Sequence, residues 1–234
     1  MDIEQLKSLK SLGLVRATLV NPLTAGQLGV TLARAGVGKT ACLTHLALEQ
    51  LLNGASVLHV CLNEVPEKIK VWYLEFLKTI AAAQPGLELA PLQHHIEPRR
   101  FILAYLHQAF TPEKLEQSLQ NLREQAKFNP SMVILDGMDF DHVVRETIEK
   151  LRGFAQRNDV SIWMSARTHR HLNVANEHGV PYPCNEMDDL FEAIISLEPV
   201  AGAIQLKVLK HGQTYLPDYP AVFLNSQTYM LQVD

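Results

Sequence analysis

The chain has no run of 18 apolar residues, so no membrane-crossing helix is expected from it. Cysteine is scarce, with only Cys42, Cys61 and Cys184 and no C-x-x-C pair. That excludes a disulfide scaffold and the usual zinc spacings. Cys42 and Cys61 lie in apolar runs and read as small core residues in a reduced, cytoplasmic setting. Positive charge is not in excess: 21 Lys and Arg against 25 Asp and Glu leave a formal charge of −4. A non-specific nucleic-acid binder is usually basic, so the balance speaks against that role. Internal repeats and low-complexity tracts are absent. The opening MDIEQLKSLKSLGLV is acidic early and amphipathic, without the basic-then-apolar layout of a signal peptide. Histidine is plentiful at ten, yet neither His94-His95 with Glu97 nor His169 and His171 with Glu177 completes a metal-ligand motif.

What the chain has is apolar mass: 47% hydrophobic residues and 20% charged, enough to bury a core. Its length suits one large domain with a modest addition. Residues 2–13 place Ile3, Leu6, Leu9 and Leu12 at intervals of three before Gly13, which predicts a short amphipathic helix. That divides the chain into an N-terminal helix and connector over 1–26 and a main body over 27–234.

Within the main body, strands alternate with helices. Strands are expected at 28–33, 56–62, 100–105, 131–135 and 160–166; helices at 39–52, 66–78, from Thr111 to before Pro130, and from about His142 to Arg157. Thr111-Pro112-Glu113 is a helix start, with a threonine cap, proline at the first position and an acid in the first turn. Residues 79–99 read as irregular. The alternation predicts an α/β fold with a mainly parallel central sheet and helices on both faces. Toward the end, Ile204 to Val208 alternates strictly. Ala221 to Leu224 and Thr228 to Val233 flank Asn225-Ser226-Gln227, which predicts antiparallel C-terminal strands and a hairpin on one sheet edge. Trp72, Tyr73 and Phe76 stand at helical spacing and read as core or interface.

Three constellations carry chemistry. The first is ARAGVGKT over 33–40, between a predicted strand and a predicted helix. Glycines at 36 and 38 let the backbone curl so that the amides of Ala35, Gly36, Val37, Gly38, Lys39, Thr40 and Ala41 can converge on phosphate at a helix N-terminus. Lys39 would reach the β and γ phosphates and Thr40 would bind Mg²⁺ through its hydroxyl. The second is Met132 to Asp136, an apolar strand ending in a carboxylate at the edge where parallel sheets bind ligands. Asp136 would support Mg²⁺ opposite Thr40. The third is Glu64, just after the second strand. It can be read as the group that orients water on a γ-phosphate or as an acid favoured by the following helix dipole.

At these residues the chain resembles the RecA-like P-loop ATPases, in the branch of KaiC-type ATPases and DnaB-type replicative helicases. ARAGVGKTACLTHLA is similar to the helicase P-loop, VLHVCLNEVPEKI to the segment with the family's catalytic glutamate, and MVILDGMD to its aspartate strand. VSIWMSART is similar to the following strand, and KVLKHG with the closing hairpin to the C-terminal strands, so the likeness runs through residues 27–233. The resemblance implies a RecA-like P-loop NTPase fold, ATP and Mg²⁺ as ligands, and Lys39 and Glu64 as the catalytic pair of a slow ATPase coupled to a homo-oligomer or partner. It also implies γ-phosphate sensing by Ser165 or Arg167, and a nucleic-acid or partner contact by the loop from Arg167 to Asp188. Lys210 and His211 stand where the family places a Lys-x-Arg finger, whose arginine is absent here. Asn63 stands where KaiC-type proteins often have an acid. Both departures leave open a switch that binds ATP and barely hydrolyses it, and a helicase-like motor is a third expectation. No Asn-Lys-x-Asp run appears, which favours adenine over guanine.

Overall fold

The computed structural model describes residues 22–83, 86–105, 109–169, 172, 174–216, 220 and 222–232. The helix expected at 2–13 lies outside them, as do Arg170 and His171 of the loop after the fifth strand. Among the described residues the chain forms a mixed α/β layer structure. Its nine strands are β1 (Leu28–Ala33), β2 (Val57–Cys61), β3 (Arg100–Ala104), β4 (Met132–Asp136), β5 (Ser161–Arg167), β6 (Ala193–Val200), β7 (Ala203–His211), β8 (Thr214–Tyr215) and β9 (Val222–Asn225). Five α-helices accompany them: α1 (Lys39–Leu52), α2 (Pro66–Ala83), α3 (Leu89–Ile96), α4 (Pro112–Gln125) and α5 (Arg145–Asn158).

All strands join one sheet in the order β3-β2-β4-β5-β1-β6-β7-β8, with β9 also paired to β7. From β3 to β6 every pairing is parallel; β7 pairs antiparallel with β6, β8 and β9. The parallel strands are apolar along nearly their whole length because helices cover both faces. Leu28, Val30 and Leu32 of β1 with Val133 and Leu135 of β4 pack under α4 and α5. Met132 and Ile134 of β4 with Trp163 of β5 pack under α1, α2 and α3. Alternation along β4 therefore puts Asp136 on the α1 face.

Three details differ from the sequence expectation. First, residues 79–99 are largely helical: α2 runs on to Ala83, α3 spans Leu89–Ile96, and a 3₁₀ turn follows. No side chain caps α3; it forms because Leu92 and Ile96 bury against α1 and α2, a tertiary gain that overrides weak local signals. Second, a strand that the sequence does not announce, β6, lies parallel beside β1, while β7 and β9 pair antiparallel as expected. Third, among the described residues the second arm expected at Thr228 to Val233 is reduced to one bridge, Leu224 to Leu231, and Val233 lies outside them. As expected, Cys42, Cys61, Tyr73 and Phe76 are core residues. No helix among the described residues is long and apolar enough to cross a membrane.

Candidate functional site at the carboxyl edge of the sheet

Parallel register brings the expected site residues to one edge. β1 ends at Ala33 opposite Arg167 at the end of β5. Asp136 is the last residue of β4, paired with Cys61 of β2, and it stands one step beyond the Leu135–Met164 pair, beside Ser165. One strand, β5, thus separates the strand that feeds the glycine loop from the strand that carries the carboxylate.

The loop between β1 and α1 is curled. Gly36 has φ +78° and Gly38 φ +110°, values that side-chain-bearing residues rarely adopt, and α1 starts at Lys39 directly after. The first-turn amides of a 14-residue helix therefore face the loop, and its dipole is positive there. Lys39 folds back across the curl: Nζ donates to the carbonyls of Ala33 and Arg34, each at 3.0 Å. Burial draws its pKa below the ordinary lysine value, Asp136 nearby opposes that shift, and Arg167 nearby adds to it. The lysine, the aspartate and Arg167 consequently act within electrostatic reach of one another.

Asp136 is 5% exposed. Oδ1 accepts a hydrogen bond from Ser165 Oγ at 2.8 Å, while Oδ2 is buried without a hydrogen bond of good geometry. Burial raises its pKa; the neighbouring Thr40 and Ser165 hydroxyls and the Lys39 charge partly offset this. A buried carboxylate oxygen without a full partner is costly. Next to a threonine hydroxyl, it is the donor set a hard divalent cation such as Mg²⁺ takes, oxygen only and short of ligands that water and phosphate supply. The residues present fit that ion, although the described residues hold no cluster of three His, Cys, Asp or Glu side chains.

Glu64 lies just past β2, exposed, with Oε2 2.6 Å from Lys68 Nζ one helical turn on. Its charge is close enough to contribute to the raised pKa of Asp136. Glu64 stands at the site's edge, two residues before α2 begins; the acid in the first turn of α2 is Glu67, so the helix-dipole reading falls to that residue. Ser165, expected from the resemblance as a phosphate sensor, is instead turned inward onto Asp136 and is 2% exposed; Arg167 is the exposed member of that pair. Lys210 does not project as a finger. It is buried, and Nζ donates to the carbonyls of Asp188 at 2.8 Å and Phe191 at 2.9 Å. The described part of the 167–188 loop is largely exposed between 172 and 179, whereas Val180, Cys184 and Met187 are core residues and His169 Nε2 meets Asp141 at 2.7 Å.

The sequence reading did not single out Tyr229. Its ring lies on the glycine loop so closely that a Cβ built on Gly38 would fall 2.3 Å from Tyr229 Cε1. The edge of Trp72 packs against the same ring, 5.2 Å between centroids. Tyr229 holds this place at φ +55°, in a turn where its amide donates to the Asn225 carbonyl. Gly38 is thus required twice, for its own positive φ and for the tyrosine. Nothing in the local sequence ties residues 191 positions apart, so no sequence signal could have found this contact.

Fold and site together define an α/β protein whose glycine loop, helix N-terminus, lysine and buried carboxylate meet at the carboxyl edge of a parallel sheet. A scan against models of known protein families finds no match, and a search of curated proteins finds no relative.

Proposed function

We propose that this chain is a RecA-like P-loop protein that binds ATP with Mg²⁺ at the loop of residues 35–41. The observation that carries the reading is the juxtaposition of the curled Gly36–Gly38 backbone, the start of α1, Lys39 and the incompletely bonded carboxylate of Asp136. Amides of the loop and of Lys39, Thr40 and Ala41 would receive the phosphates. Lys39 would exchange its two backbone carbonyls for phosphate oxygens. Thr40 and Asp136 would hold Mg²⁺, which supplies charge neutralisation on the phosphate oxygens. The test is calorimetric binding of Mg-ATP to the full chain. Lys39→Ala is expected to weaken binding by at least about a hundredfold, in line with the loss of a charge-assisted contact at a partly buried site. Equal affinity in parent and variant overturns the reading.

Hydrolysis would be slow, with Glu64 orienting the water. A second reading, a nucleotide-dependent switch that barely hydrolyses ATP, is favoured by two observations. Lys210 is turned into the core rather than outward, and Glu64 is engaged by Lys68. Steady-state turnover in the parent and in Glu64→Gln separates the two. A parent rate that the substitution lowers about a hundredfold or more supports the ATPase. The same near-zero rate in both supports the switch. As in the resembling family, a homo-oligomer would complete the site; nucleic acid is the less favoured partner, given the net charge of −4.

A further inference from the structure

Three adjacent strand ends are tied together beside the proposed metal position. Asn63, two residues past β2, donates from Nδ2 to the carbonyl of Gly137 at 2.6 Å. Gly137, directly after β4, donates its amide to Ser165 Oγ of β5 at 2.8 Å. Ser165 passes its own hydroxyl hydrogen to Asp136 Oδ1 at 2.8 Å. Donors and acceptors run in one direction: amide of Asn63 to carbonyl, amide of Gly137 to hydroxyl, hydroxyl to carboxylate. The Asp136–Gly137 peptide is held at both ends, its amide by Ser165 Oγ and its Asp136 carbonyl by the Leu62 amide at 2.9 Å, while Asn63 holds the carbonyl of the next peptide.

We infer that Asn63, Gly137 and Ser165 form a brace that fixes the Asp136 carboxylate with Oδ1 occupied and Oδ2 left available to the cation the site would take, so that Asn63 and Ser165 are positioning residues for metal binding. The inference rests on the nucleotide reading above and adds to it the roles of two residues that reading leaves unused.

Residue choice at each point agrees with the brace. Gly137 has φ +90°, and a Cβ there would come within 2.9 Å of Asn63 Nδ2, so only glycine allows both the turn and the close approach. Asn63 must present an N–H to the Gly137 carbonyl; an aspartate would set acceptor against acceptor. Ser165 can serve two partners at once because a hydroxyl both donates and accepts. Its small side chain is enclosed at 2% exposure, whereas the Asn63 link is open to solvent. A buried hydrogen bond to a carboxylate is worth more than an exposed neutral one, so Ser165 should matter more than Asn63.

The experiment measures ATP affinity of the full chain with and without Mg²⁺, and takes the ratio as the readout. In Ser165→Ala the gain that Mg²⁺ brings is expected to fall about tenfold, the scale seen when partners of metal ligands are removed. Ser165→Thr, which keeps the hydroxyl, should restore most of it, and Asn63→Ala should lose about two- to threefold. Hydrogen exchange at the Gly137 amide, read on the nucleotide-free chain, should speed up in Ser165→Ala and stay slow in Ser165→Thr. A Mg²⁺ gain equal to the parent's in both alanine variants overturns the brace while leaving ATP binding intact. So does unchanged exchange at Gly137 in Ser165→Ala. A parent that binds no nucleotide under either condition overturns the nucleotide reading and the brace's purpose with it.

Discussion

At the scale of single residues, the site is built on groups that are uncomfortable where they stand. Asp136 is buried with one oxygen short of a partner, and burial raises its pKa. A carboxyl with a folded value above its unfolded one weakens the fold at neutral pH, and the penalty fades as pH falls through the folded value. Asp136→Asn should therefore melt at a higher temperature than the nucleotide-free parent, yet gain nothing from Mg²⁺ when ATP is added. Thermal unfolding with and without Mg-ATP reads both. A lower melting temperature would mean that the Ser165 bond, with the nearby Thr40 hydroxyl and Lys39 charge, outweighs desolvation. Lys39 similarly spends its charge on two carbonyls that any residue could offer. Such strained or under-satisfied groups gather where ligands bind. These residues were legible in the sequence because glycine, lysine and an apolar run ending in aspartate each have a local signature. Tyr229 and the inward turn of Ser165 and Lys210 were not, because each depends on which strands become neighbours.

At the scale of elements, the ones with strong local signals appear where the sequence puts them. Helix α4 starts at Pro112 because Thr111 caps it: its side chain accepts the Lys114 amide at 3.2 Å. Thr111→Ala should cost about 1 kcal/mol of stability, measurable as a lower urea midpoint with unchanged slope. No change would show that the cap adds nothing to a helix already held by Leu115, Leu119 and Leu122. Helix α3 has no such cap and only eight residues, so it carries little local signal. Strand β6 escaped for a different reason: its first half, Ala193 to Leu197, does not alternate strictly because it lies between β1 on one side and β7 on the other, and only its end at Glu198–Val200 is exposed. Buried parallel strands do not alternate, so periodicity does not reveal them.

At the scale of the whole molecule, the α/β class was legible from the alternation of elements, but the strand order was not. Nothing in the sequence says that β5 inserts between β1 and β4, yet that insertion is what places Ser165 against Asp136 and Arg167 beside the loop. The closed core also carries a pH signature. His45 in α1 and His59 in β2 are fully enclosed, and burial lowers their pKa values to about 4 and about 3. The Tyr229 backbone opposes the shift at His45, and Arg100 adds to it at His59. Groups whose folded values lie below the unfolded value of 6.5 contribute fully above pH 6.5, and that contribution is lost as pH falls toward the folded values. Each should remove on the order of 2 kcal/mol by about pH 4.5. Urea midpoints across this range should fall with a steepness near two protons, and a His45→Leu, His59→Leu chain should flatten the curve; an unchanged curve would mean that other groups drive acid unfolding.

The most direct measurement of the central claim is a crystal structure of the full chain grown with Mg²⁺ and a non-hydrolysable ATP analogue. The account predicts phosphates cradled by residues 35–41, Lys39 Nζ released from the Ala33 and Arg34 carbonyls onto phosphate oxygens, and the cation between Thr40 and Asp136. An analogue bound elsewhere, or a loop still closed on its lysine at millimolar nucleotide, would contradict it.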